Sequence, residues 1–230
     1  MKLTRKDIAY SQSTVYDLGN SVLYDLCKDN FEHTSIGAIL AKTILIGRAY
    51  AVALDRGKDK GKSEEEKLNQ LLINDDFYQH TVVPLFMNSH LDDDLAKLKN
   101  VDNPKGYEKE ILLLHNKLKK RLKPINNQDK ISFCSKYLHF HLPTLFFIYD
   151  SRAKSVINQF VIKKEVQFYE NPDFDSDYAN FFSKALCLQQ TIERDLGEKL
   201  TPRQIDNLFL IPANEKLRAK LLKKVSKQKE

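Results

Sequence analysis

SKYLHFHLPTLFFIYDSR, residues 135–152, is the stretch around which the rest of the chain is organised. It is the most apolar and aromatic run in the sequence, yet Lys136, His139, His141, Asp150 and Arg152 are set into it. Ile131, Cys134, Tyr137, Leu138 and His141 recur at helical spacing, so a helix is predicted to run into Pro143. Proline disfavours the helical region for the residue before it, and the helix should stop there. A short apolar connection follows. Asp150 then stands where an N-cap carboxylate would open the next helix.

The same period extends in both directions. Tyr107, Ile111, Leu114, Leu118 and Leu122 mark an amphipathic helix closed by Pro124, and Phe181 to Leu196 marks another ending at Gly197. Thr201 followed by Pro202 reads as a cap with proline in the first turn, the helix ending before Pro212. Towards the N-terminus, Val15, Leu18, Val22 and Leu26 define a face expected to be buried, capped by Ser13 or Thr14. Thr34 to Asp55 is apolar nearly all round and is expected to be buried on most sides. Its Arg48 is then expected either to pair with a carboxylate from another helix, because an unpaired buried charge is costly, or to point into a cleft. Arg56 to Lys62 is a surface loop, Ser63 with Glu66 forms a capping box, and Asn74 before Asp75 and Asp76 starts a further helix. Strand character is confined to 161–169. The fold class is therefore all-α: a compact multi-helix domain over 1–212, with two helical lobes flanking a cleft as one arrangement, and a basic C-terminal helix or tail at 213–230.

Length and composition fit a globular chain: 230 residues, 42% hydrophobic and 30% charged. The net charge of +6 is unevenly placed. Residues 213–230 hold seven Lys/Arg against Glu215 and Glu230, which leaves the body near neutral. A second dense cluster runs through Lys117, Lys119, Lys120, Arg121 and Lys123, where cations also complement a helix C-terminus. Local basic clusters on a near-neutral body suit phosphate contacts. No apolar run is long enough to span a bilayer, and MKLTRKDIAY lacks a secretory core. Cys27, Cys134 and Cys187 lie far apart in apolar segments, read as reduced, buried thiols of a cytoplasmic protein. His139 and His141, two apart on a helix, diverge, so no metal site is expected there, and no cofactor motif is present.

Lys136 borders an apolar face. Burial of its ammonium would favour the neutral amine, a nucleophile, whereas a surface lysine would only lay its stem on the core. Asp150 is explained by capping, and a capping carboxylate in a cleft can also stabilise a developing cation. Arg152, at a helix start, opposes the dipole and is better explained by an ion pair or a phosphate. Ser135-Lys136 on a helix, an apolar run to Pro143, and Ile148-Tyr149-Asp150 opening another helix resemble the catalytic segment of helix-hairpin-helix DNA glycosylases, over about residues 128–160. The resemblance implies that Asp150 is the catalytic aspartate and Lys136 the lysine of a bifunctional member. NNQDKISFC stands where that superfamily carries its hairpin glycines.

The expectation that follows is a DNA glycosylase that flips a modified base of double-stranded DNA into a cleft. Asp150 and Lys136 would be catalytic, and Arg48, His139, Tyr149 and Arg152 would bind substrate. Lys119, Lys120, Arg121 and Lys123 would hold phosphates, with no metal or other cofactor. A non-catalytic module binding nucleic acid or protein, and a host-defence effector, are the alternatives.

Overall fold

The computed structural model describes residues 3–12, 14–56, 63–66, 77–87 and 89–212. The helix expected from Asn74 starts outside the described residues, as does the whole basic segment 213–230. Those described form helices, turns and extended connections, with no strand among them. In order they are α1 (Arg5–Gln12), α2 (Val15–Asp29), α3 (Ile36–Ala49), α4 (Val83–Met87, entered through a π-helical turn over Phe77–Val82) and α5 (Leu91–Leu98). Then follow α6 (Glu108–Leu122), α7 (Ile131–His141), α8 (Ser151–Val156), α9 (Ser176–Leu196) and α10, spanning 202–212.

The helix termini follow local chemistry. Thr14 caps α2 in a box with Asp17, Asp150 caps α8, Asp175 caps α9, and Gly197 closes α9 at φ 73°, where a side chain would be strained. Thr201 and Gln204 bond each other's main-chain N–H groups at the start of α10. The expected box of Ser63 and Glu66 is present as well. After α3 the chain doubles back tightly. Val52 N–H donates to Gly47 O at 2.8 Å, and a Cβ on Gly47 would come within 3.0 Å of the Ala53 backbone. The turn carries Ala51 at φ 54°, and it sets Tyr50 against α7.

One hydrophobic cluster runs from Ile8 to Phe209, and α7 is its axis. Every residue from Phe133 to His141 is buried, with α2, α3 and α6 packed around the helix. The expectation that Thr34 to Asp55 would be the sealed helix is corrected. In α3 one face is buried, through Ile39, Thr43 and Ile46, while Ile36, Leu45 and Arg48 face outward.

A second correction concerns α2. Val15, Leu18 and Val22, expected to be its core face, are 80%, 81% and 62% exposed, and the buried positions are Asn20, Leu23 and Cys27. Both sets repeat with the helical period, about 140° apart around the axis. The core took the stripe that contains an asparagine, which periodicity of apolar residues passes over. Residues 161–169 hold a 3-10 turn over Lys163–Glu165 and no strand. Cys27 and Cys134 are buried thiols as expected, but Cys187 is only partly buried. None of the described helices is long and apolar enough to cross a membrane.

Candidate active site

The polar groups buried in α7 bind the connection that follows it. Ser135 Oγ accepts from Tyr149 N–H at 3.0 Å, and Ser132 Oγ donates to Tyr149 O at 2.9 Å. The Lys136 ammonium donates to Ser132 Oγ at 2.8 Å and Tyr149 O at 3.0 Å. His139 Nδ1 bonds Phe146 O at 2.8 Å, and its Nε2 meets the Tyr24 hydroxyl at 2.7 Å. Residues 142–149 are thereby strapped onto α7, which delivers Asp150 to a fixed place. One carboxylate oxygen, Oδ1, accepts from Ala153 N–H at 2.8 Å and caps α8; the other, Oδ2, lies 3.7 Å from Lys136 Nζ. The lysine side chain is 1% exposed and the aspartate 33%. The ammonium therefore sits behind the carboxylate, and only the carboxylate faces outward. Burial pulls the Lys136 pKa down while Asp150 pushes it back up.

Asp150 opens on a cavity of about 780 Å³ between α2, the α3 turn, the start of α8 and α10. Its lining includes the polar residues Asn20, Tyr50, Asp150, Arg152, Arg203 and Asp206 and the apolar residues Val15, Val22, Leu45 and Leu210. Tyr50 stands between cavity and core, its ring centroid 5.7 Å from Lys136 Nζ. Arg203 bridges Asp17 at 2.9 Å and Asp206 at 2.7 Å. Burial raises the pKa of the Asp206 carboxyl to about 6 against the pull of Arg203. Arg152 is exposed at the mouth, on the first turn of α8. The site thus combines a carboxylate about one-third exposed, an exposed guanidinium and apolar lining residues.

No family model, curated protein or solved structure matches this chain.

Of the residues singled out by sequence, the structure gathers Asp150, Arg152 and Arg48 on this one cavity, with Lys136 directly behind it. Arg48 is not buried: its side chain is 63% exposed, and its carboxylate is Asp55, from the turn after its own helix, at 2.7 Å. His139 does not line the cavity: both ring nitrogens are engaged within the core, where burial lowers its pKa to about 3. Tyr149 contributes its main chain to the strap, while its ring packs edge-on against Phe181. Tyr137 bonds His33 at 2.7 Å, deep in the core.

The basic cluster on α6 lies outside the cavity lining. Lys119 pairs with Asp175, Lys117 reaches Asp94 at 2.7 Å, Lys123 comes within 3.8 Å of Asp129, and Arg121 donates to Leu85 O. Lys120 is exposed. Lys42 belongs to a separate buried network, donating to Asn30 O at 2.7 Å and facing His141 Nε2 at 3.2 Å.

Sequence reasoning passed over Asn20, Arg203 and Asp206. A signal for Arg203 existed: it falls in the first turn of α10, where a cation opposes the helix dipole just as Arg152 does on α8. Nothing in the sequence pairs α10 with α2, so the cavity between them was not legible.

Proposed function

We propose that this chain is a base-excising DNA glycosylase whose working carboxylate is Asp150. The observation that carries this reading is Asp150 in the cavity lining together with Arg152, about one-third exposed, with the Lys136 ammonium 3.7 Å behind it. A base within duplex DNA is unreachable until it leaves the stack, and a cavity of this size admits a flipped nucleotide. As the bond between C1′ and the base nitrogen lengthens, positive charge grows on the sugar, and a fixed carboxylate stabilises it. Water adds to C1′, Asp150 relays its proton, and the base departs protonated at the nitrogen that held the sugar. The products are the free base and an abasic sugar.

Arg152 at the mouth serves a flanking phosphate, a contact that fixes position without reading sequence. Lys136 is a positioning residue in this scheme. Its attack on C1′ in a lyase branch requires release from Ser132, Tyr149 and Asp150 and loss of the ammonium proton to Asp150, which passes it to the departing base as the bond from C1′ to the base nitrogen breaks. The second reading, a non-catalytic binding module, is favoured by the exposed stripe Val15, Leu18 and Val22, since contiguous apolar surface marks interaction sites.

A panel of single- and double-stranded oligonucleotides, each carrying one modified base, distinguishes the two. Abasic sites scored by alkaline cleavage are expected from at least one duplex. A borohydride-trapped adduct lost in Lys136→Gln would establish the lyase branch. DNA bound with no base released from any member of the panel transfers the conclusion to the binding module.

A further inference from the structure

Three carboxylates share two enclosed cations beside the cavity. Asp150 lies 3.7 Å from Lys136, and Arg203 bridges Asp17 at 2.9 Å and Asp206 at 2.7 Å. The three acids differ in what else reaches them. Asp17 also accepts from Thr14 N–H at 2.7 Å, the Thr14 hydroxyl at 3.0 Å and Asn207 Nδ2 at 3.3 Å. Asp150 also accepts from Ala153 N–H. Asp206 has Arg203 alone, on Oδ2, and its Oδ1 has no hydrogen-bond partner among the described residues. Donors and opposite charges stabilise a carboxylate as the anion, so Asp206 is the acid of the three best suited to hold a proton. It lines the same cavity as Asp150, with its side chain 13% exposed. Tyr24 on α2, Tyr50 after α3 and Arg152 on α8 are the further titratable and charged groups that act on it. Burial, with Asp150 pushing the same way and Arg203 opposing, holds its carboxyl at about 6.

We infer that Asp206 is a second catalytic residue, the general acid that hands its proton to the departing base while Asp150 remains an anion toward the sugar. The bond between C1′ and the base nitrogen breaks with its electron pair going to the nitrogen, which takes the proton from Asp206. Water adds to C1′ and gives its proton to Asp150, which passes it to Asp206 and restores both groups. Two carboxylates with environments that separate their protonation can divide acid and anion roles in this way. The inference rests on the glycosylase reading and places its proton delivery on α10.

The test measures single-turnover base release by the full chain, from the duplex it processes, between about pH 5 and pH 8. Wild-type release is expected to hold level at the acid end and to fall about tenfold per pH unit above about pH 6, as Asp206 loses its proton. Asp206→Asn keeps an acceptor for Arg203 and carries no acid proton. Its release at the acid end is expected to drop by at least about 100-fold, and the alkaline fall to disappear. A structural role would lower the rate and keep the fall, and that result overturns the assignment, as does wild-type release level across the whole range. Asp17→Asn leaves Arg203 to Asp206 alone, so the fall should begin about one unit lower in pH. That variant decides the matter if Asp206→Asn does not fold, and a fall that has not moved overturns the assignment. Each of these contrary results leaves the glycosylase reading standing. No release from any duplex of the panel at any pH in the range overturns that reading and, with it, the role of Asp206.

Discussion

Lys136 is almost sealed from solvent and has three oxygen partners, so its charge is accommodated without help from a ligand. Replacing it by methionine keeps the volume but strips a donor from Ser132, Tyr149 and Asp150. Lys136→Met is expected to lose about 2 kcal/mol in urea unfolding, the cost of leaving buried acceptors under-satisfied. Asp206 gives a pH signature of opposite character to an ordinary salt-bridged aspartate. Its folded pKa is about 6 against an ordinary 3.8, so between those values the folded state holds a proton the unfolded chain has lost. The stabilisation is complete at the acid end of this window and is lost as pH rises through 6. Relative to Asp206→Asn, the wild type is therefore expected to lose on the order of 2–3 kcal/mol between about pH 4 and pH 7, read from paired denaturation curves. At this scale the capping role of Asp150 was legible in sequence, because N-cap chemistry is local. The exposure of Arg48 was not, because it depends on which face of α3 the rest of the chain covers.

Among the elements, α7 and α2 carry opposite lessons. The helix into Pro143 and the new helix at Asp150 were readable because proline and a capping aspartate act within a few residues. That α7 would be buried all round was not, since a segment holding Ser135, Lys136, His139 and His141 looks amphipathic until each polar group is seen to meet a main-chain or side-chain partner. In α2 the helical period was right and the buried face was not. Leu18→Ala is accordingly expected to change stability by no more than about 0.5 kcal/mol, whereas Leu23→Ala should cost about 2–4 kcal/mol, both from chemical denaturation. Equal costs at the two positions would mean that the outward stripe is covered in solution. Ser135→Ala, which removes the acceptor for Tyr149 N–H, is expected to cost about 1–3 kcal/mol and to slow base release, because the strap that aims Asp150 loosens.

Across the whole molecule, one continuous core fixes α7, and everything proposed to touch substrate sits where α2, α8 and α10 meet beside it. Ion pairing divides the charges between two roles. The α6 cations largely face carboxylates of α5, α9 and the connection before α7, whereas Arg152 stands outward at the cavity mouth. Long-range assembly of this kind is what a single sequence withholds: Asp17 and Arg203 are bonded across 186 positions, and no local pattern announces it. The proposal that this meeting point is catalytic is tested most directly at Asp150 itself. Asparagine caps a helix about as well as aspartate, so Asp150→Asn should keep α8 and the fold while removing the negative charge. With matched circular dichroism and thermal stability, single-turnover base release from the duplex that the wild type processes is expected to fall by at least about 100-fold. Release within about threefold of wild type would contradict the assignment of the chemistry to this cavity.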